Sequence, residues 1–137
     1  MKKLVLILLF SLLGATAFSL HIKGGFFTYE YLGPGVISPT ALRYKITLTV
    51  YMDCSASGGQ INNPVNFTIF SGASSSVVAT PSVPISAQFN LSKIQDDPCI
   101  TGNQAGCFYK IVIYELSNIE LASSPNGYTV SYQRCCR

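Results

Sequence analysis

Five cysteines, a single histidine and six carboxylates are the side chains with which this chain could do chemistry. The cysteines are Cys54, Cys99, Cys107, Cys135 and Cys136. They contain no C-x-x-C spacing, and His21 lies far from them in sequence, so they do not read as a tetrahedral zinc set. Disulfides fit them better. Cys99 and Cys107 flank the polar, glycine-bearing stretch Ile100 to Gly106, and closing so short a loop contributes about 2–3 kcal/mol. Cys54, Cys135 and Cys136 then share one further bond. A bond between the adjacent Cys135 and Cys136 would close a strained ring, so Cys54 pairs with one of them and the odd thiol is buried or pairs with another chain. His21 lacks the orienting partner that a catalytic histidine needs. Asp96-Asp97, with Asp53, offers oxygen ligands for calcium. No D-x-D-x-D spacing accompanies them, and a solvated turn before Pro98 accounts for the same residues. A glycosidase pair meets the same shortage of carboxylates. The expectation is therefore a chain with no catalytic, cofactor-binding or metal-binding residues. What it does have is eight tyrosines and eight phenylalanines. Tyr51, Tyr109 and Tyr114 are candidates for an exposed aromatic binding face, weighed against ordinary packing in strands. The absence of Trp weakens the carbohydrate version of that reading.

The elements that must position these residues begin after a distinct leader. Met1-Lys2-Lys3 is a short basic start, Leu4 to Leu13 is apolar except for Ser11, and Ala15-Thr16-Ala17 has the form of a signal-peptidase site. This is the layout of a secretory signal peptide, residues 1–19, with cleavage after Ala17 or Ser19. The apolar run is too short to span a bilayer. Residues 20–137 then form one domain. Nine Lys and Arg stand against six Asp and Glu in the whole chain, and removal of Lys2 and Lys3 leaves the domain nearly neutral. That excludes a polybasic nucleic-acid binder, a spanning membrane protein and a disordered acidic tail. No Cys follows the apolar run, which argues against a lipoprotein. Export also accounts for the cysteines, since exported thiols meet an oxidising environment.

Strand signals dominate residues 20–137. Tyr44, Ile46, Leu48, Val50, Met52 and Cys54 alternate with Lys45, Thr47, Thr49, Tyr51 and Asp53, the period-2 pattern of a half-buried antiparallel strand. Val65, Phe67 and Ile69 alternate likewise, as do Tyr128, Val130 and Tyr132. Phe108 to Leu116 is apolar on both faces, as a central strand is. Weaker candidates are 25–32, 76–80, 85–91 and 119–122. Turn formers separate them, including Gly33-Pro34-Gly35, Asn62-Asn63-Pro64 and Ser124-Pro125-Asn126-Gly127. About seven or eight short strands predict an all-β fold, a single antiparallel Ig-like β-sandwich. Strand parity puts Cys54 on its apolar face and Cys136 on that of Tyr128, favouring Cys54–Cys136. A bulge near Arg134 would instead select Cys135. Asn66-Phe67-Thr68 and Asn90-Leu91-Ser92 match the N-glycosylation sequon, which has meaning only in a eukaryotic secretory pathway.

Several segments together resemble a known family. His21-Ile22-Lys23-Gly24-Gly25 and Thr28-Tyr29-Glu30-Tyr31-Leu32-Gly33 are similar to H-I-V-G-G-E-x-T-Y-x-C-L-G. Arg43 to Cys54 is similar to R-Y-E-I-T-L-x-V-Y-R-D-C. Asn63-Pro64, Thr68-Ile69-Phe70, Asp97-Pro98-Cys99 and Tyr132-Gln133-Arg134-Cys135-Cys136-Arg137 continue the likeness in order. The chain resembles the N-terminal domain of large adhesin-like surface proteins of gliding Bacteroidota, which are exported by type IX secretion. The resemblance implies no enzymatic activity. It also bears on the odd cysteine count: the family pattern has Cys where this chain has Tyr31, which leaves Cys135 or Cys136 without its partner. Family members continue far beyond the Cys-Cys pair, so the chain is expected to be the first module of a longer protein, a fragment or a truncated product.

The expectation from all of this is an exported cell-surface structural or adhesion module that acts without catalysis. The alternative is a small-ligand or carbohydrate-binding β-sandwich module. Expected partners are other domains of the same surface protein, extracellular surfaces or glycans, and the export machinery that reads the signal peptide. The expected location is extracellular or cell-surface, or periplasmic if the chain ends at Arg137.

Overall fold

A computed structural model describes residues 22–54, 61–92 and 107–134. Residues 1–19, read above as a signal peptide, and His21, Asp96, Asp97, Cys99, Cys135 and Cys136 lie outside them, and Cys107 is described only in its backbone. The described residues form nine strands: β1 (Ile22–Pro34), β2 (Ala41–Asp53), β3 (Val65–Asn66), β4 (Thr68–Ser71), β5 (Val77–Ala79), β6 (Ser82–Val83), β7 (Ile85–Ser92), β8 (Cys107–Ala122) and β9 (Tyr128–Ser131). They are arranged in open antiparallel sheets: β1-β2-β8-β7, β3-β6 and β5-β4-β9. The chain is all-β in these segments, and no helix among them is long and apolar enough to cross a membrane.

The alternation in β2 explains its place. Ile46, Leu48, Val50 and Met52 are all buried, while Lys45, Thr47, Thr49 and Tyr51 are half-buried on the other side. β8 is apolar on both faces because it lies between β2 and β7, where neither face is left wholly to water. It runs unbroken through Ser117 and Asn118, so two segments read separately in the sequence are one strand. The polar pair is absorbed by a bulge: Tyr44 opposes Ile119, but Ile46 opposes Leu116.

One cluster of buried side chains unites the sheets. Ile46, Leu48, Val50 and Met52 of β2 join Val112, Tyr114 and Leu121 of β8 on one side, with Val65, Ile69 and Val83 from the shorter strands and Phe67 between β3 and β4. Phe67 and Ile69 have no exposed surface, and burying each contributes about 1.5–3 kcal/mol. Phe27 of β1 meets Phe67 edge-on, with ring centroids 5.2 Å apart. The stretch from Val65 to Ile69 keeps its expected alternation but is not one strand. Phe67 donates its N–H to the Pro81 carbonyl at 3.0 Å, which separates β3 from β4. The short β6 carries no sequence signal of its own and forms because Val65 and Val83 pair in register.

Cys54 follows the end of β2 and is disulfide-bonded. The pairings Cys99–Cys107 and Cys54–Cys136 lie outside the described side chains. The parity that favoured Cys136 is carried by β9 only as far as Ser131.

Candidate functional site

The three tyrosines expected on a binding face do not share one. Tyr51 and Tyr109 lie on the outer face of the four-stranded sheet, with ring centroids 6.4 Å apart and planes nearly perpendicular at 84°. Phe26 of β1 extends the row, 6.2 Å from Tyr51. Tyr114 is corrected to the core. The register of β8 turns it inward beside Val112, where it is 3% exposed. Its hydroxyl donates to the Asn62 carbonyl at 2.7 Å. Burial, and then the nearby Tyr132, push its pKa up to about 12, so it stays neutral and acts as an anchor for the chain before β3.

The outer row has a recognisable construction. Ile111 of β8 stands opposite both Tyr51 of β2 and Phe89 of β7, and is 7% exposed while Phe26 and Phe89 are about half exposed. A nearly dry centre is thus flanked by accessible rings. Two ion pairs border this face: Lys23 Nζ to Asp53 Oδ2 at 3.2 Å and Lys45 Nζ to Glu30 Oε2 at 2.6 Å. The hydrogen bond with Glu30, and its charge, raise the Lys45 pKa. Asp53, considered above with Asp96 and Asp97 as a calcium ligand, pairs with Lys23, while Asp96 and Asp97 lie outside the described residues. Among the described residues no group of three or more metal-ligating side chains occurs.

Two further features were not read from the sequence. The inner face holds a cavity of about 310 Å³, lined by Tyr29, Leu42, Tyr44, Ile46, Leu121, Tyr128 and Val130 among others. Tyr29 and Tyr44 meet at 6.5 Å, and Tyr31 lies 5.8 Å from Tyr44. Tyr128 donates its hydroxyl to the Ala122 carbonyl at 2.7 Å, fixing the far wall. The signal for this aromatic group was the alternation of Tyr29 and Tyr31 with Thr28 and Glu30. It gains meaning only from the β1–β2 register, which sets Tyr31 opposite Tyr44.

The second feature is the β1–β2 loop. The Glu120 carboxylate accepts the backbone N–H groups of Val36 at 2.6 Å, Ile37 at 3.1 Å and Ser38 at 3.2 Å. These bonds, led by that from Val36, hold the Glu120 pKa below the usual carboxylate value, helped by the Arg43 charge. The loop so held presents Val36 and Ile37 to solvent, 74% and 90% exposed. The sequons lie on the surface, with Asn66 and Asn90 both exposed.

No protein-family model matches the chain, and no curated protein or solved structure shows significant similarity to it.

Proposed function

We propose that the chain is an exported cell-surface module, structural or adhesive, that acts by non-covalent contact and not by catalysis. The observation that carries this reading is the outer aromatic row. Phe26, Tyr51 and Tyr109 project from three different strands around the dry Ile111, on a rigid hydrogen-bonded surface that orders them before any partner arrives. Aromatic anchors around a desolvated centre are the usual source of contact energy in protein recognition. In this reading the sheets are the two layers of one Ig-like β-sandwich. Support for that arrangement comes from the single buried cluster, which draws on strands of every sheet. Disulfides Cys99–Cys107 and Cys54–Cys136 staple it, with Cys135 left over. In this reading the leader directs export and the module sits at the cell surface, facing other domains of the same protein or external glycans; the resemblance to Bacteroidota surface proteins supports it.

The test compares cells displaying the wild-type chain with cells displaying the Tyr51→Ala/Tyr109→Ala double variant, on protein-coated and glycan-coated surfaces. The wild type is expected to adhere, and the variant to lose about tenfold in adhering cells. Equal adhesion by the two refutes the reading.

A second reading, a small-ligand or carbohydrate module, is favoured by the inner cavity with Tyr29, Tyr44 and Tyr128 on its walls. Its volume is at the lower end for a ligand pocket. Calorimetric titration with short oligosaccharides separates the two readings: saturable heat abolished by Tyr44→Ala supports the cavity, and heat abolished by the outer-face variant supports the row.

A further inference from the structure

β1 is an edge strand: it pairs with β2, and no described residue pairs along its other side. Edge strands are normally blunted by lysines, prolines or bulges, because their free N–H and C=O groups template pairing with another chain. In β1 those devices are confined to the ends. Register shifts fall between Ile22 and Gly24 and between Tyr31 and Gly33, and Lys23 and Pro34 lie outside the same limits. Between them, residues 25–31 form a regular edge of Gly-Phe-Phe-Thr-Tyr-Glu-Tyr. Its one charge, Glu30, is already paired with Lys45.

That edge is self-complementary. In an antiparallel pairing of two copies, related by a two-fold axis perpendicular to the sheet, residues opposite each other must share a face. Centring the axis on Thr28 uses the whole regular stretch. Phe27 then faces Tyr29 of the second copy on the inner side, and Gly25, having no side chain, makes room for Tyr31. On the outer side Phe26 faces Glu30, so the like charges are kept apart and Thr28 meets Thr28. Aromatic cross-strand pairs of this kind stabilise a sheet.

We infer that β1 is a self-association edge, and that two copies of this chain join through antiparallel β1 strands into one continuous eight-stranded sheet, β7-β8-β2-β1 followed by β1-β2-β8-β7. Phe26, Tyr29 and Tyr31 are 50%, 79% and 54% exposed. Covering them and the edge backbone on both copies buries on the order of 1,000 Å², where specific but weak interfaces begin. The opposite edge, β7, is a poorer candidate. It carries the polar Gln88 and Asn90 in the positions that β1 fills with aromatics, and register shifts at both ends.

Sedimentation equilibrium of the exported chain tests this directly. The wild type is expected to dimerise with a Kd of about 1–100 µM. Thr28→Lys sets like charges face to face at the two-fold axis, and Thr28→Glu does the same; each alone is expected to raise the Kd about fivefold or more. An equimolar mixture of the two is expected to re-form a heterodimer at wild-type strength or better. Gln88→Lys on the other edge is expected to leave the dimer unchanged. Circular dichroism confirms that each variant is folded. A wild type that stays monomeric to about 1 mM, ten times the weakest Kd expected, overturns the inference. So does a dimer that survives Thr28→Lys, a mixture that fails to reassociate, or a dimer dissociated by Gln88→Lys.

Discussion

The Glu120 carboxylate gathers three consecutive backbone N–H groups, those of Val36, Ile37 and Ser38, and so does for this loop what a helix cap does for a helix. Gly35 is required beside it, because a Cβ there would come within 2.3 Å of the Ser38 carbonyl oxygen and 2.9 Å of Glu120 Oε2. Since these donors favour the ionised form, the folded pKa is lowered from 4.5. The resulting stabilisation is complete above that ordinary value and is lost as pH falls through the lowered one. Glu120→Gln is therefore expected to lower the thermal midpoint at neutral pH and to flatten its decline in acid. Thermal unfolding followed by circular dichroism across the acid range checks both, and an unchanged acid slope would contradict the assignment. None of this was legible in the sequence. Glu120 is separated from Val36 by 84 positions, and its role depends on the β2–β8 register. Tyr114 marks the same limit from the other side. As a residue type it was equally suited to face or core, and only the register of β8 turns it inward.

Among the elements, β2 was readable because its alternation is strict and one of its faces is buried from Ile46 to Met52. β8 was readable in part. Its two-sided apolar character announces a central strand, whereas Ser117-Asn118 looks like a break unless the bulge between the Tyr44 and Ile46 pairings is known. β3, β4 and β6 were least readable, because strands of two to four residues are decided by what they pack against rather than by local preference. The turn after β4 offers a test at this scale. Gly72 donates its N–H to the Gly127 carbonyl at 3.0 Å, and a Cβ on it would lie 2.1 Å from the Asn126 carbonyl oxygen. Both neighbours are backbone, so the turn beside β9 must move to admit a side chain. Gly72→Ala is expected to cost about 1–3 kcal/mol in urea unfolding, and a change within a few tenths of wild type would show that the turn yields freely.

The molecule as a whole combines few charges with a core spread across several sheets. Crosslinks suit such a chain, whose small domain buries a limited apolar area. Peptide mapping without reduction is expected to recover Cys99 joined to Cys107. Reduction is expected to lower unfolding stability by about 2–4 kcal/mol. Recovery of Cys99 with any other partner would overturn the pairing. The strand order has another consequence, in time rather than in energy. β1 and β2 are joined by a short loop and can close into a hairpin as soon as both have been synthesised. The other side of β2 must wait for β8, which follows β3 to β7 in the sequence. Through that interval the hairpin carries an uncovered apolar face and a vacant hydrogen-bonding side. Such late, distant closure places folding on a millisecond-to-second scale and makes the partly emerged chain a substrate for a holding chaperone.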